Sequence, residues 1–400
     1  MYEADILFYS HQIYYSDKKE NLLYNPLISP IDQHFLKLGF RTLTLARPFF
    51  SINPRKCFGN IVTVNGIESR IFYLKLFLRK FLHLFNYKEN SYDRLHVYFW
   101  KKVFSITKPK ILIGVEPLKE VCVAAAECNI LTVDIMHGIQ GFGEKDGSYF
   151  LKMSYRGVSQ NGWPNLMGCW DFQSYKNLKE NRAEYTTPFI LGHPAVNTNG
   201  GNSKHKNSKI LLFALQYKQR GSTDFHPIPQ VLIDFIKARN DLKLWIRIHP
   251  LLLRMSPKHK KDIYRNLSEL FADFVNVDWE KPSTMSLSDA LNESKVHLTV
   301  GSSSTLEAIQ IGVPCGVFDD IDRHGKPFRR FFEHEIESGN VTLLPMDSMS
   351  QLSSFVDSLE SKAPAVVTKS KNYTSEFIEN VNDFINNNNC LKNKYKNKVY

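Results

Sequence analysis

The chain has 400 residues, 43% of them hydrophobic and 23% charged, and 51 Lys and Arg against 40 Asp and Glu give it a net charge of +11. That length exceeds a single core and favours two domains, and the composition is that of a folded globular protein rather than a disordered or fibrous one. The positive balance favours anionic partners (nucleotides, phospholipid surfaces or nucleic acid) without choosing among them.

The six cysteines, at 57, 122, 128, 169, 315 and 390, show no paired spacing. Most sit in apolar runs, which argues for reduced, buried thiols in a cytoplasmic protein and against a disulfide or zinc framework. The opening "MYEADILFYS" places acidic residues before a short apolar run, so it is not expected to be a signal peptide. No window reaches ~18 uninterrupted apolar residues, so no membrane-spanning helix is expected.

In chain order, residues 4–10 read as a strand, 28–40 as a helix closed by glycine, and 41–50 as a strand. Residues 72–85, "FYLKLFLRKFLHLF", drawn as a helix at 100° per residue, put Lys75, Arg79, Lys80 and His83 within an arc of about 140°. A basic stripe beside a wide apolar face suits an anionic membrane surface, and equally a helix packed on the first domain with solvated lysines. Residues 108–116, 117–129 and 130–138 form a strand–helix–strand unit, and 187–197 read as the last strand of this half. The strands are nearly continuous apolar runs, as in a parallel sheet covered on both faces.

"TNGGNSKHKNSK", 198–209, is the clearest linker. The second half repeats the rhythm, with strands at 210–216, 242–250, 274–279, 295–301 and 313–319 and helices at 228–241, 256–273, 286–294 and 304–312. A helix starting near 369 is followed by a polar, basic tail expected to fray. Alternating strands and helices predict an α/β protein of two Rossmann-like, doubly wound domains facing each other across a cleft. The expected divisions are 1–197, the linker 198–209, 210–368, and the helix and tail 369–400.

Open parallel sheets bind ligands beyond the carboxyl ends of their strands, so residues just after each strand are the candidates. In "VGSSSTLE", residues 300–307, an apolar run stops at Gly301; Ser302, Ser303, Ser304 and Thr305 then precede a helix with Glu307 in its first turn. Free N–H groups at a helix start attract phosphate, and four hydroxyls add donors. The same pattern is a helix cap, which needs only one hydroxyl. In "WIRIHP", 245–250, Arg247 and His249 fall on one side of a strand that Pro250 ends. They suit a diphosphate, or else are an interfacial arginine and a core histidine.

In "MHGIQGFGEKDGSYF", 136–150, His137 ends a strand, and four glycines make a loop carrying Glu144 and Asp146. A carboxylate on such a loop can act as general base toward an acceptor hydroxyl, or be an ordinary surface charge. "DDID", 319–322, has the Asp-x-Asp spacing of some cation sites, and is read here as a turn after a strand.

"RIHP", followed about fifty residues later by "VGSSSTLEAIQIGVP", with an "HG" strand end in the other half, resembles bacterial glycosyltransferases of the two-Rossmann GT-B fold that build capsular and O-antigen polysaccharides. The His-Pro and Ser-Ser pair is similar to motifs of bacterial sialyl- and polysialyltransferases, and it also resembles Kdo transferases and CDP-glycerol glycerophosphotransferases. The resemblance covers about 110 to 370. Carried over by position, it implies that His249 contacts the donor phosphate, that Ser302 to Ser304 bind it from the helix side, and that Glu307 holds the nucleotide ribose. Arg247, Pro250, Gly301 and Thr305 complete the expected donor-binding set. The acidic-acidic-Gly motif that carries the base is matched by "EKDG", 144–147, with Lys145 separating the acids. Asp146 is then the expected base and Glu144 the alternative, joined by His137, with Gly138 and Gln140 on the acceptor side.

The resulting expectation is a glycosyltransferase moving a sugar from a nucleotide-activated donor, a CMP-sugar among the candidates, to an oligosaccharide or lipid-linked glycan. It would be cytoplasmic and peripheral at the inner face of the cytoplasmic membrane, with 72–85 meeting the anionic surface. No metal or other cofactor is expected, because a helix dipole and an Arg/His pair can stabilise the leaving phosphate. No nucleic-acid partner is expected, since the sequence holds no basic-aromatic platform. The alternatives are a sugar-nucleotide epimerase of the same fold, a CDP-glycerol-type glycerophosphotransferase, and a non-catalytic membrane-associated assembly protein.

Overall fold

The computed structural model describes residues 3–11, 15, 17–19, 22–46, 53–63, 70, 74, 78, 94–138, 162–182, 184–196, 208–216, 227–254, 257–321, 327–361, 373–387 and 391–396. The chain divides into two units, one made of Met1–Ala195 with Asn372–Tyr400 and the other of Val196–Lys371.

Unit 1 contains β1 (Ile6–Ser10), the short hairpin β2 (Asp17–Lys19) and β3 (Leu22–Tyr24), α1 (Ser29–Lys37), β4 (Thr42–Ala46) and β5 (Ile61–Thr63). It continues through α2 (Arg94–Thr107), β6 (Ile111–Gly114), α3 (Lys119–Glu127), β7 (Leu131–Ile135), β8 (Leu166–Cys169), α4 (Phe172–Arg182) and β9 (Thr187–Ile190). Seven strands form a parallel sheet in the order β5-β4-β1-β6-β7-β8-β9. Every residue of β1, β6 and β8 is buried, which is why these strands read as apolar runs without alternation. The chain leaves β1 for β4 on one side and returns to β6 on the other. The strand order therefore switches between β1 and β6, the place where doubly wound sheets open a crevice.

Unit 2 contains β10 (Ile210–Leu215), α5 (Gln230–Ala238), β11 (Lys243–Ile248), α6 (Pro250–Arg254), α7 (Pro257–Leu270), β12 (Val277–Asp278), α8 (Glu280–Thr284) and α9 (Leu287–Glu293). After these come β13 (Val296–Thr299), α10 (Ser304–Ile311), β14 (Cys315–Phe318), a 3₁₀ turn over Phe328–Phe332, α11 (Glu333–Glu337), β15 (Val341–Leu344) and α12 (Met349–Ser361). Its six strands are parallel in the order β12-β11-β10-β13-β14-β15, and the switch lies between β10 and β13. One face of α5 buries Leu232, Phe235 and Ile236 in a core with Leu211, Phe213 and Ile246 of the sheet and with Leu352 and Val356 of α12. At ~25 cal/mol per Å² of apolar surface, such clusters supply most of the unit's stabilisation. Gly312 closes α10 with φ at +88°, the left-handed cap that favours glycine.

The chain then returns to unit 1 through α13 (Tyr373–Asn387) and α14 (Leu391–Lys396). The fraying expected of the tail does not extend to 391–396. Leu391 and Tyr395 are buried, and the Tyr395 ring lies 4.4 Å from Phe189 on the edge strand β9. Phe377 of α13 stacks on the same Phe189 at 5.3 Å, so apolar contact with the sheet overrides the polar composition.

Of 72–85 the structure describes Leu74 and Leu78, both helical and exposed; the rest of that stretch, with its basic stripe, lies outside the described residues, as do 198–207 of the linker. Among the described residues no helix is long and apolar enough to cross a membrane. Cys57, Cys122, Cys128, Cys169 and Cys315 are free thiols, four of them buried.

Candidate functional site

At the switch point of unit 2, β13 ends at Thr299 and α10 begins at Ser304. The Thr299 hydroxyl accepts the Ser302 N–H at 3.2 Å and donates to the Ala214 carbonyl at 3.2 Å, fixing the connection to β10. Gly301 is required sterically. The Phe328 ring covers it so closely that any Cβ there would overlap the ring.

The hydroxyl cluster does not point one way. Ser304 Oγ faces inward to Nε2 of buried His297 at 2.9 Å and to Ser302 Oγ at 2.7 Å, and the Ser302 oxygen accepts the Ser304 N–H at 3.2 Å. Thr305 is fully buried. Ser303 occupies the N-cap position, yet its side chain makes no capping hydrogen bond. One hydroxyl of "SSST" thus caps a first-turn N–H, and it is that of Ser302 instead of Ser303. Ser303 is half-buried and Glu307 stands partly exposed in the first turn.

His249 follows β11, its N–H bonded to the Leu215 carbonyl at the end of β10. β11 and β13 flank β10, so His249 and the α10 N-terminus are separated by about two strand spacings, ~10 Å. Pro250 takes the first helical position of α6, where its missing N–H costs nothing. Arg247 departs from its expected role. Its Nη1 donates to the carbonyls of Pro282 and Met285, which close α8, so that nitrogen braces a helix end instead of standing open to a ligand. Past β14, Asp319 pairs with Arg329 at 3.1 Å and Asp320 accepts its own turn's Ile321 N–H, as in a folded turn.

In unit 1 a pair that local spacing does not reveal stands at the carboxyl ends of β6 and β7, one strand beyond the switch point. Glu116 stands just past β6 and His137 just past the adjacent β7, with Nδ1 3.3 Å from the carboxylate. That distance suits charge pairing, and the ring nitrogen is too poorly aligned for a strong hydrogen bond. Both side chains are about one-fifth exposed. Glu116 adopts φ of +48°, a left-handed conformation uncommon for a non-glycine, and Asp134 of β7 holds its N–H at 2.8 Å. The signal was available, since Glu116 is the last residue of the predicted strand 108–116. Gly138 follows His137 and is buried. Gln140, Glu144 and Asp146 lie outside the described residues.

Two other polar groups at this edge are structural. Asp171 caps α4, accepting the Ser174 N–H and hydroxyl at 2.7 Å each. His193 packs edge-on against Trp170 with ring centroids 4.5 Å apart, and burial pushes its imidazole down to about 3.

Two α/β units, each built on a doubly wound parallel sheet, define the GT-B fold. No protein family and no curated protein sequence matches the chain. Among solved structures it is similar to the UDP-GlcNAc 2-epimerase from Methanocaldococcus jannaschii, at 14% identity and a TM-score of 0.56, covering 95% of this chain and 99% of that one. It is also similar to the UDP-GlcNAc 2-epimerase from Neisseria meningitidis bound to UDP-GlcNAc, at 13% identity and 0.53, covering 96% and 100%. A glycosyltransferase from Rickettsia africae matches at 10% identity and 0.50, covering 98% and 96%. These neighbours are enzymes that share the fold across essentially the whole chain.

Proposed function

We propose that the chain is a nucleotide-sugar enzyme, and that its reaction is epimerisation of a UDP-N-acetylhexosamine rather than transfer to an acceptor. The carrying observation is the Glu116–His137 pair at the carboxyl ends of β6 and β7 in unit 1. Inverting C2 needs one group to take its proton as the diphosphate leaves C1 and another, on the opposite face, to return a proton as the diphosphate re-adds to C1, and the Glu116–His137 pair supplies the acid–base group of one face. Several solved structures of this fold are UDP-GlcNAc 2-epimerases, two of them with UDP-GlcNAc bound, which supports the substrate class.

In this reading unit 2 holds the UDP. The α10 N-terminus with Ser303 meets the phosphate, His249 donates from the β11 end, and Glu307 takes the ribose. The helix dipole and these donors stabilise a leaving diphosphate, and the scheme asks for no metal.

The test is incubation with UDP-GlcNAc alone in D2O. Epimerisation predicts a product with inverted C2 carrying deuterium, formed without any acceptor. Hydrogen retained at C2, with the nucleotide sugar consumed only when an acceptor glycan is added, would instead select a glycosyltransferase. That second reading is favoured by the "RIHP" and "SSST" strand ends and by the glycosyltransferase neighbour. It leaves a CMP- or CDP-linked donor and a surface-polysaccharide acceptor to be decided by nucleotide binding.

A further inference from the structure

One polar side chain sits where unit 2's sheet would pack an apolar one. His297 is the second residue of β13, between Val296 and Leu298, and is fully buried. Its neighbours on the flanking strands are Leu212 and Cys315. Burying an imidazole is unfavourable unless its nitrogens are satisfied, and among the described residues only Nε2 has a partner, Ser304 Oγ. Burial also holds the ring neutral, pushing it down to about 3.

The protons in this chain can be assigned. A proton on Nδ1 would leave a buried donor unpaired, whereas a proton on Nε2 leaves only an acceptor unpaired, the more readily tolerated defect. Nε2–H therefore donates to Ser304 Oγ, and Ser304 in turn donates to Ser302 Oγ. The Ser302 oxygen also accepts the Ser304 N–H, which fills both its acceptor positions. One proton remains, on Ser302 itself. Among the described residues it has no acceptor, although Ser302 is only 6% exposed.

We propose that His297 is a positioning residue: acting through Ser304, it turns the Ser302 hydroxyl into a fixed donor toward the nucleotide phosphate at the start of α10. This rests on the nucleotide-sugar reading of that site. The helix dipole and the uncapped Ser303 favour an anion there, and the relay adds an oriented O–H to them. Because the hydroxyl is oriented before the ligand arrives, no rotamer freedom is lost on binding.

The experiment is UDP titration of the full chain by calorimetry, with His297→Met, His297→Gln and Ser304→Ala, each also made in a Ser302→Ala background. His297→Met keeps the volume but removes the donor and should weaken UDP about tenfold, the effect of one charge-assisted hydrogen bond. His297→Gln restores an N–H near the Nε2 position and should recover most of that loss. In the Ser302→Ala background, His297→Met and Ser304→Ala should add nothing further.

Equal UDP affinity in wild type and His297→Met would overturn the inference. So would a loss of the same size in both backgrounds, which would mean that His297 acts through packing. If His297→Met does not fold, Ser304→Ala breaks the same relay. ¹⁵N histidine NMR of the unliganded protein should show the Nε2–H tautomer, and an Nδ1–H tautomer would reverse the relay and sink the proposal. Folded wild type that binds no UDP refutes the nucleotide reading, and the inference with it. Wild type that binds UDP while the His297 variants bind it equally well refutes the inference alone.

Discussion

His137 Nδ1 and the Glu116 carboxylate stand 3.3 Å apart across the ends of two adjacent parallel strands. Glu116 is held in a left-handed conformation, its N–H bonded to Asp134. Replacing Glu116 by glycine should therefore relieve about 1 kcal/mol of backbone strain while removing the carboxylate. The variant is expected to be more stable to urea than wild type and to lose about 10²–10⁴-fold in turnover. Glu116→Gln should lose the same activity with no gain in stability. Parallel urea melts and assays of UDP-GlcNAc conversion check both.

Arg247 and His249, two residues apart, should separate cleanly. Arg247→Met leaves the Pro282 and Met285 carbonyls without their donor, and about 1.5–3 kcal/mol of stability is expected to go with it. UDP affinity of the folded protein should change little. His249→Ala is expected to show the reverse, with a near-normal melt and a UDP dissociation constant raised about tenfold or more. Denaturant unfolding and calorimetry on the same preparations distinguish brace from ligand.

Phe328 over Gly301 makes a third case. Gly301→Ala forces the ring off the β13–α10 connection. Gly301→Ala should weaken UDP binding because the Ser302 and Ser303 backbone moves with it, and Phe328→Leu in the same chain should recover part of the loss. Failure of the double variant to improve on Gly301→Ala, measured by calorimetry, would show that the ring is not what the new methyl meets.

Stability should depend on pH through two opposed kinds of buried group. Asp32 on α1 is 2% exposed with one oxygen unpartnered, and burial lifts its carboxyl to about 6. Its folded form holds a proton that the unfolded form has lost, so stability falls as pH rises from about 4 to about 6. Asp32→Asn should stabilise the protein by about 2–3 kcal/mol at neutral pH and much less near pH 4.5. His193 and His297, both held down to about 3, contribute stability that is present above about 6.5 and lost as pH falls below it. His297→Gln should therefore move the acid midpoint of unfolding, followed by circular dichroism, to lower pH.

The sequence located most strands because their apolar runs are long and β-branched. The segments 210–216, 242–250 and 295–301 each contain the observed strand with one to three residues to spare. β8 escaped. Its residues, Leu-Met-Gly-Cys, lack any β-branched side chain, and Gly168 is there because Leu191 and Phe189 leave no room for a Cβ. α2 escaped as well, because its many aromatic residues obscure a face that buries Val97, Trp100 and Phe104.

At the candidate site, position was legible and direction was not. Strand ends can be read along a chain, whereas the inward turn of Ser304 toward the β13 side chain His297, the capture of Arg247 by a helix end and the pairing of Glu116 with His137 are set by how different elements pack.

The return of α13 and α14 to β9 has a consequence for synthesis. Residues 372–400 emerge only after all of Val196–Lys371, so unit 2 is complete while unit 1 still shows a bare sheet edge at Phe189. An uncovered edge strand invites pairing with other chains. A chain cut short before Tyr373 would thus carry one finished half and one adhesive half, and α13 and α14 act as the latch that ends that exposure.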